Sequence, residues 1–192
     1  MNPELRELIE ELRTDLAVTG AGAEAWAHIN AGAPAERIPA GTPQPVRELL
    51  EVADGIGAGP FELISLGMYD HYQGLLQHMP DFTGVADDPG AWFHLGTMDE
   101  EPLLLRRDTG EVWWVPPTST DEWFAREEFA MAMPSLEFFL VLYVFGPRYA
   151  DVAFDEFENE ETDRWWAFLE EHDLTTVPGD DDYDDDDEET GA

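Results

Sequence analysis

The sequence contains no cysteine and no lysine. Without cysteine the chain can form no disulfide, and zinc-finger sites and thiol catalysis are excluded. Arginine supplies all nine basic residues against 44 acidic ones, so the formal net charge is -35. A surface this negative repels the phosphates of nucleic acids and anionic membranes, and it attracts basic partners. We therefore expect a basic protein partner, no nucleic acid and no membrane.

Long hydrophobic runs are also missing. The longest unbroken apolar run, Phe138–Phe145, is far shorter than the roughly 20 residues that a membrane-spanning helix needs. The first residues read MNPELRELIEELR and are charged from the fourth position onward, which is not typical of a signal peptide. We expect a soluble cytoplasmic protein.

A folded core is predicted by the remaining composition. The 192 residues are 43% hydrophobic and 12% aromatic, with seven tryptophans, which is enough for one domain with a substantial core. The strand and helix patterns of the chain favour an α+β fold, with a small antiparallel sheet of about four to six strands flanked by N- and C-terminal helices. The high charge has a second interpretation, adaptation to a salt-rich cell interior.

The clearest strand pattern lies between Trp92 and Pro116. Two apolar runs, Leu103–Leu105 and Val112–Val115, flank a polar segment that contains Asp108–Gly110. Asp and Thr suit the centre of a type I turn, and the following glycine can take the positive φ of a three-residue hairpin loop. A further strand is predicted for Trp92–Leu95. Together these strands form a meander with an aromatic face.

Other elements follow from caps, helical spacing and turn residues. Before the meander we expect a helix from Asn2 that Gly20 stops, a helix capped by Thr42 and ended by Asp54-Gly55, a turn over Gly55–Pro60, a strand over Phe61–Leu66 and a short helix over Met68–Met79. After the meander we expect a short helix or irregular cover over Trp123–Met133, a helix capped by Ser135 and ended by Gly146, and a helix from Asn159. The helix after Ser135 is apolar on both sides and is expected to be the most buried. The predicted segments are 1–41, 42–146, 147–178 and a disordered acidic tail, 179–192.

No catalytic motif emerges from the sequence. His71 and His78 are seven residues apart on a predicted helix and could bind a metal with Asp70 or Asp81. Catalytic zinc sites usually have a closer i, i+4 pair, so surface histidines are the favoured interpretation. With 44 acidic residues, adjacent carboxylates are expected from composition alone. We predict a protein that is not an enzyme and has no cofactor or metal.

The order of elements resembles the SUKH superfamily, which includes Smi/Knr-type cell-wall regulators and many bacterial immunity proteins. The resemblance covers roughly Thr42 to Gly146. It rests on a helix ended by Asp-Gly and followed by a strand, on the Asp-Thr-Gly-Glu-Val hairpin, and on the helix start Ser135-Leu136-Glu137-Phe138-Phe139-Leu140. Leu136 stands where the family often has Phe, and Asp54 stands where Asn is common.

That resemblance implies an α+β fold and a binding role, commonly the neutralisation of a toxin such as a nuclease. It implies no shared catalytic site. An immunity protein that occludes the active site of a basic toxin is therefore the predicted function. The alternatives are a regulatory or scaffold SUKH domain that binds a housekeeping partner, and a metal-dependent hydrolase.

A partner-binding surface is predicted where acidic loops adjoin the tryptophan-bearing strands. Aromatic anchors with an acidic rim suit a basic protein partner. The alternative is that the tryptophans belong to the core and the acids only solubilise the chain. The predicted residues are Asp87, Asp88, Trp92, Asp99, Glu100, Glu101 and Trp113.

Deletion of residues 179–192 tests the predicted tail. The deletion removes nine of the 44 acidic residues and no residue of a predicted element. The free energy of unfolding, measured by urea denaturation at moderate salt, should change by less than about 0.5 kcal/mol. A strong loss of stability would show that the tail is structural.

Overall fold

The computed structural model describes residues 1–19, 26–116, 128–154 and 160–176. It confirms the α+β class, with one antiparallel sheet and helices at both ends of the chain. The helices are α1 (Pro3–Val18), α2 (Gln44–Val52), α3 (Tyr69–Leu75), α4 (Leu136–Phe139), which continues as a π-helical turn over Leu140–Val144, α5 (Ala150–Ala153) and α6 (Arg164–Glu171). The strands are β1 (Ala27–Ile29), β2 (Ile56–Ala58), β3 (Phe61–Leu63), β4 (Trp92–Met98), β5 (Glu101–Arg106), β6 (Val112–Trp114) and β7 (Ala130–Met133).

Every strand pairs with the next strand of the sequence, so the sheet is a seven-stranded meander in the order β1 to β7. Residues directly opposite each other in an antiparallel pair project from the same face of the sheet. The strand register therefore divides the side chains between an inner and an outer face. The outer face carries His28, Gly57, Glu62, Trp92, His94, Thr97, Pro102, Leu104, Arg106, Trp113 and Met131.

The inner face packs into the main core. This core joins the inner-face strand residues to side chains from α1, α2, α4 and α6. As predicted, Asn2 caps α1, since its side-chain oxygen accepts a hydrogen bond from the backbone nitrogen of Glu4 at 3.0 Å. The apolar stripe of α1 is buried at Leu5, Ile9, Leu12 and Leu16.

Hydrogen bonds to Asp163 hold α6 against this core. The Tyr149 hydroxyl donates to one carboxylate oxygen of Asp163 at 2.8 Å, and the backbone nitrogen of Trp166 donates to the other at 2.7 Å. Asp163 is therefore the N-cap of α6. The predicted helix start, Asn159, lies outside the described residues.

The outer face is covered at its centre by α3 and the residues that follow it. Here a second, smaller cluster forms from Leu76, Met79, Val85, Trp92 and Leu104. The side-chain amide of Gln73 fixes the position of α3. Its nitrogen donates to the carbonyl of His94 at 2.9 Å, and its oxygen accepts from the backbone nitrogen of His94 at 3.1 Å. β3 ends at Leu63, and its pairing with β4 stops at Gly96. At His94 the Gln73 amide therefore makes the backbone hydrogen bonds that a neighbouring strand would otherwise make.

The central hairpin confirms the positive φ predicted for Gly110, but its loop has four residues, Arg107–Gly110, instead of the predicted three, because Arg106 lies opposite Glu111. Gly110 adopts a φ of 79°. Its backbone nitrogen donates to the carbonyl of Arg106 at 2.8 Å, and the nitrogen of Arg106 donates to the carbonyl of Glu111 at 2.8 Å. The first of these bonds closes the loop between β5 and β6.

Three strands were not predicted from the sequence. β1 lies in the Ala/Gly-rich segment from Thr19 to Gly41, β2 occupies half of the predicted turn Gly55–Pro60, and β7 falls in the predicted cover Trp123–Met133. Residues 123–127 of that cover lie outside the described residues. All three strands are short, and Gly57 at the centre of β2 leaves space for His28 and Glu62, which lie over it. A Cβ at this position would collide with both side chains.

Two helix predictions also need correction. Pro43, not Thr42, occupies the N-cap position of α2, and the Thr42 hydroxyl instead donates to the Tyr69 hydroxyl at 3.2 Å. The helix after Ser135 is not buried on both sides. Phe138 is 58% exposed and Val141 is 42% exposed, because only the side that faces the sheet reaches the core.

None of the helices in the described ranges has both the length and the apolar character that crossing a bilayer requires. The predicted tail, 179–192, lies outside those ranges, and the proposed segment boundaries stay predictions.

Two glycine-to-alanine variants test the backbone geometry of the hairpin. An added Cβ meets no atom within 4 Å at either Gly110 or Gly74, so the two variants differ in backbone conformation. Gly110→Ala should lower the free energy of unfolding by roughly 1–2 kcal/mol, because its φ is positive. Gly74→Ala, within α3, should raise it by roughly 0.5–1 kcal/mol. Equal effects in urea denaturation would show that the hairpin turn is misassigned.

Candidate functional site

Three aromatic rings lie together at one end of the outer face, and we call them the aromatic cluster: Trp92, Trp113 and Phe129. The ring centroids of Trp92 and Trp113 are 5.8 Å apart in an edge-to-face arrangement, and Phe129 lies 5.4 Å from each. Trp92 is buried, whereas Trp113 and Phe129 are partly exposed. Met131, opposite Trp113 on β7, is 48% exposed. This end of the sheet therefore presents an aromatic and aliphatic surface to solvent.

Polar contacts fix the rings in place. The guanidinium of Arg106 lies over the Trp92 ring, 5.4 Å from its centroid, and donates to Asp108 at 3.0 Å. Arg107 donates to the carbonyl of Trp92 at 2.7 Å. The indole nitrogen of Trp113 donates to Glu111 at 3.2 Å. A fixed aromatic surface loses little side-chain entropy when a partner binds to it.

The predicted acidic residues divide between two places. Asp87 and Asp88 are exposed and precede the 3-10 turn that leads into Trp92. Asp99 and Glu100 are exposed in the turn between β4 and β5, and Glu101 begins β5. The length of β4 separates the two sets by about 20 Å. The structure thus brings Trp92 and Trp113 together, but it places the acidic loops at opposite ends of β4.

The turn between β4 and β5 has an unusual backbone. Asp99 has a φ of 47° and Glu100 a φ of 68°. Since Met98 and Glu101 pair directly, the two residues form a two-residue hairpin loop of the type that asparagine and glycine usually occupy. Non-glycine residues at positive φ are uncommon and concentrate at functional positions.

A groove of about 220 Å³ opens on the outer face beside this turn. One wall comes from the end of α3 and the residues after it, and the other comes from β4, β5 and their turn. The lining residues are Leu75, His78, Met79, Pro80, His94, Thr97, Glu100 and Pro102.

His94 is the most unusual residue of the groove. The residue is 2% exposed, and its Nδ1 lies 3.0 Å from the carbonyl of Tyr72. Because a carbonyl only accepts, Nδ1 carries the hydrogen and Nε2 carries a lone pair. Nε2 is buried and has no hydrogen-bond partner. His94 therefore provides an unused hydrogen-bond acceptor in the wall of the groove.

The surroundings of His94 keep it neutral. Burial is the largest influence and lowers the pKa of the imidazole. The Tyr72 carbonyl bonded to Nδ1 and the nearby backbone of Gly96 act in the opposite direction, while His71 lowers the pKa further. The net pKa lies below the ordinary value, so the neutral form with its free lone pair is favoured.

A second polar pair lies farther along the outer face. His28 and Glu62 flank Gly57 on neighbouring strands, with Nε2 of His28 3.6 Å from the Glu62 carboxylate. Burial raises the pKa of Glu62, and the charge of His28 partly offsets this. His28, Gly57, Glu62 and Thr97 lie opposite one another on successive strands and form a row across the outer face, and Thr97 is the member of this row that lines the groove. Sequence reasoning missed this row, although the alternation around Glu62 indicated that it projects away from the core.

Among the described residues, one set of metal-ligating side chains lies close together: Glu11, Asp15 and His172. One ligand atom of each lies within 4.8 Å of the others, and His172 is 3.6 Å from Asp15. The set does not include His71 or His78, which the sequence analysis considered. Exposed carboxylates gather on an acidic surface without a metal, so the set alone does not define a metal site.

The sequence matches no protein-family model, and no curated protein or solved structure is significantly similar to it. The function must therefore be argued from the residues of this chain.

The variant His94→Asn tests the environment of His94. Asparagine can still donate to the carbonyl of Tyr72, but it does not titrate. Because the folded pKa is lowered, the unfolded chain binds a proton first as the pH falls, and wild-type stability decreases below the ordinary pKa of 6.5.

His94→Asn should therefore lose less unfolding free energy between pH 7.5 and 5.5. The difference should be about 1.4 kcal/mol at most for each unit by which the pKa is lowered. His78→Asn, which removes an exposed histidine from the same groove, is the matched control. If the unfolding free energy of His94→Asn fell with pH as steeply as that of the wild type, the account would be contradicted.

Proposed function

We propose that this chain is a cytoplasmic, non-enzymatic protein-binding domain of the SUKH type. In this proposal it is an immunity protein that neutralises a basic toxin, for example a nuclease, by occluding its active site. The observation that carries the proposal is the charge of the folded surface. The chain has 44 acidic residues and nine arginines, and most of the arginines in the described residues are engaged within the fold.

Some arginines bind backbone carbonyl groups. Arg13 donates to Val52 at 2.8 Å, Arg47 donates to Pro39 at 2.9 Å, and Arg107 donates to Trp92 and Gly41, each at 2.7 Å. These guanidinium groups hold loops in place and are directed into the structure. The carboxylates that remain therefore dominate the field around the molecule.

Two more arginines are paired with acids. Arg106 contacts Asp108 at 3.0 Å, and Arg148 contacts Asp151 at 2.8 Å. Each pair cancels one positive charge locally. A negative field of this kind accelerates association with a basic protein and discriminates against acidic ones.

The aromatic cluster supplies the apolar contact that a stable complex also needs. Interface centres are enriched in tryptophan, phenylalanine and methionine, and Trp113, Phe129 and Met131 present these side chains together. Asp87 and Asp88 precede the strand that carries Trp92 and provide acidic groups at this end of the sheet.

The elements that carry the SUKH resemblance support the proposed fold type. α2 is followed by Gly55, with a φ of 104°, and then by strands. The DTGEV hairpin joins β5 to β6. Ser135 caps α4, since its hydroxyl accepts from the backbone nitrogen of Phe138 at 3.3 Å.

Two alternatives can be distinguished by simple observations. A regulatory or scaffold domain would lack a neighbouring gene for a toxin with a basic C-terminal domain. A metal-dependent hydrolase is favoured only by the set Glu11, Asp15 and His172, and metal analysis of the purified protein tests it.

Binding kinetics across a salt series test the proposed function. The partner is captured from the native host with the full chain as bait, and then purified. Its association rate should fall at least roughly tenfold between low and high salt, because ions screen the acidic field. The dissociation rate should change much less, because apolar anchors hold the complex. An association rate indifferent to salt, or recovery of only acidic or neutral partners, would contradict the proposal.

Local charge and anchoring can be separated with three variants. Replacing Asp99, Glu100 and Glu101 by Ser should lower the association rate. The matched control replaces Glu7, Glu10 and Glu11, exposed acids on α1, and should lower it less. Trp113→Ala should mainly raise the dissociation rate. Equal effects of both charge variants would place the partner elsewhere on the molecule.

A further inference from the structure

We propose that the groove beside His94 binds the side chain of one arginine presented by the basic partner. This inference rests on the proposed protein-binding function and adds the chemistry of one specific contact. Three observations carry it: the size of the groove, its set of hydrogen-bond acceptors, and the apolar residues between them.

The volume suits a single side chain. The groove measures about 220 Å³, whereas pockets for drug-sized ligands and cofactors measure roughly 300–1,000 Å³. An extended side chain that enters from a neighbouring protein needs less space than a free cofactor. The opening also lies on the outer face, beside strands that α3 leaves uncovered, so a partner can reach it.

The polar groups of the lining favour a cation that donates hydrogen bonds. Glu100 contributes a carboxylate at the rim, Thr97 contributes a hydroxyl, and His94 contributes the unused lone pair of Nε2. Neither lysine nor arginine lines the groove. An anion would find one negative charge and no permanent positive charge there, so it is disfavoured.

Arginine fits this arrangement better than lysine. Its planar guanidinium has five N–H donors in a fixed fork, so it can serve a carboxylate and additional acceptors at the same time. A lysine ammonium is a more strongly hydrated point charge and loses more hydration on entering a partly apolar groove.

The apolar lining suits the rest of the side chain. Leu75, Met79, Pro80 and Pro102 provide aliphatic surface between the polar groups, and an arginine stem can lie along such surface while its head binds acceptors. Nε2 of His94 is itself covered, so a donor reaches it only when the lining moves. Met79, with three rotatable bonds, is the adaptable member of that lining.

The turn between β4 and β5 positions the carboxylate of Glu100 for the arginine. Asp99 and Glu100 hold positive φ values without being glycine, and this conformation places Glu100 on the rim of the groove. Asparagine or glycine would make an easier turn, but neither would supply a carboxylate.

Titration with small probes tests the proposal without the partner. The probe is N-acetyl-arginine methylamide. Its controls are the lysine analogue and the citrulline analogue, which has the shape of arginine but no charge. Binding to the full chain is followed by NMR through the chemical shift of the His94 ring nitrogens. The arginine probe should bind at least about tenfold more tightly than citrulline, because bonds to a charged donor are worth more than neutral ones.

Variants then assign the contact. Glu100→Gln should weaken binding of the arginine probe about tenfold. Glu10→Gln makes the same charge change at an exposed position on α1, outside the groove lining, and it should leave the affinity nearly unchanged. His94→Asn keeps a donor for the carbonyl of Tyr72 and removes the Nε2 acceptor, so it should also weaken binding. Glu100 is exposed, so its variant tests the site even if His94→Asn fails to fold.

The outcomes separate this inference from the proposed function. Equal affinities for arginine and citrulline, or equal effects of Glu100→Gln and Glu10→Gln, would overturn the arginine site. The salt-dependent binding of a basic partner could still hold in that case. If the arginine probe binds as expected but no basic protein does, the groove remains an arginine site and the proposed function fails.

Discussion

The structure depends on the register of its seven-stranded meander. Side chains alternate between faces along each strand, so a slip of one residue would exchange the inner and outer faces. Phe93 and Leu105 would then leave the core, and Trp92 and Arg106 would enter it. The buried inner face, packed against α1, α2, α4 and α6, fixes the register. The register in turn determines which side chains the outer face carries.

The outer face combines an aromatic surface and a polar groove. One end has an aromatic surface, formed by Trp92, Trp113 and Phe129, and the other has a polar groove beside His94. Leu76 and Met79, which follow α3, pack against Trp92 and Leu104 between them, and α3 is fixed by the two hydrogen bonds between Gln73 and the backbone of His94. β4 thus carries Trp92 of the aromatic cluster and also His94 and Thr97 in one wall of the groove. A partner covering both would bury apolar surface and neutralise charge in one contact.

Local signals explain which elements could be predicted from the sequence. The cap at Asn2, the cap at Ser135 and the positive φ of Gly110 each depend on neighbours a few residues away. β2 has only three residues with a glycine at its centre, and it exists because β1 and β3 pair on either side of it. Such long-range pairing leaves no local pattern. The sequence predicted Thr42 as a cap, but its hydroxyl donates to the Tyr69 hydroxyl, a partner 27 residues away that no local pattern indicates.

The candidate site also combines features that local sequence signals predict with features that depend on long-range contacts. Trp92 and Trp113 lie on strands that the sequence indicates, and in the structure their rings are in contact. The groove could not be predicted, because His78, His94, Glu100 and Pro102 reach it from separate elements. A β-bulge between His94 and Gly96 also shifts the alternation, so His94 and Thr97 share the outer face although they are three residues apart.

Hydrogen exchange of the complex with its purified basic partner tests the central claim most directly, that the outer face is the binding surface. The account predicts that the partner slows amide exchange in β4, in the turn at Asp99–Glu100 and in β6–β7. Exchange in α1, which lies on the opposite side of the sheet, should be unchanged. Protection confined to α1 and α2, with the outer-face strands unaffected, would contradict the account.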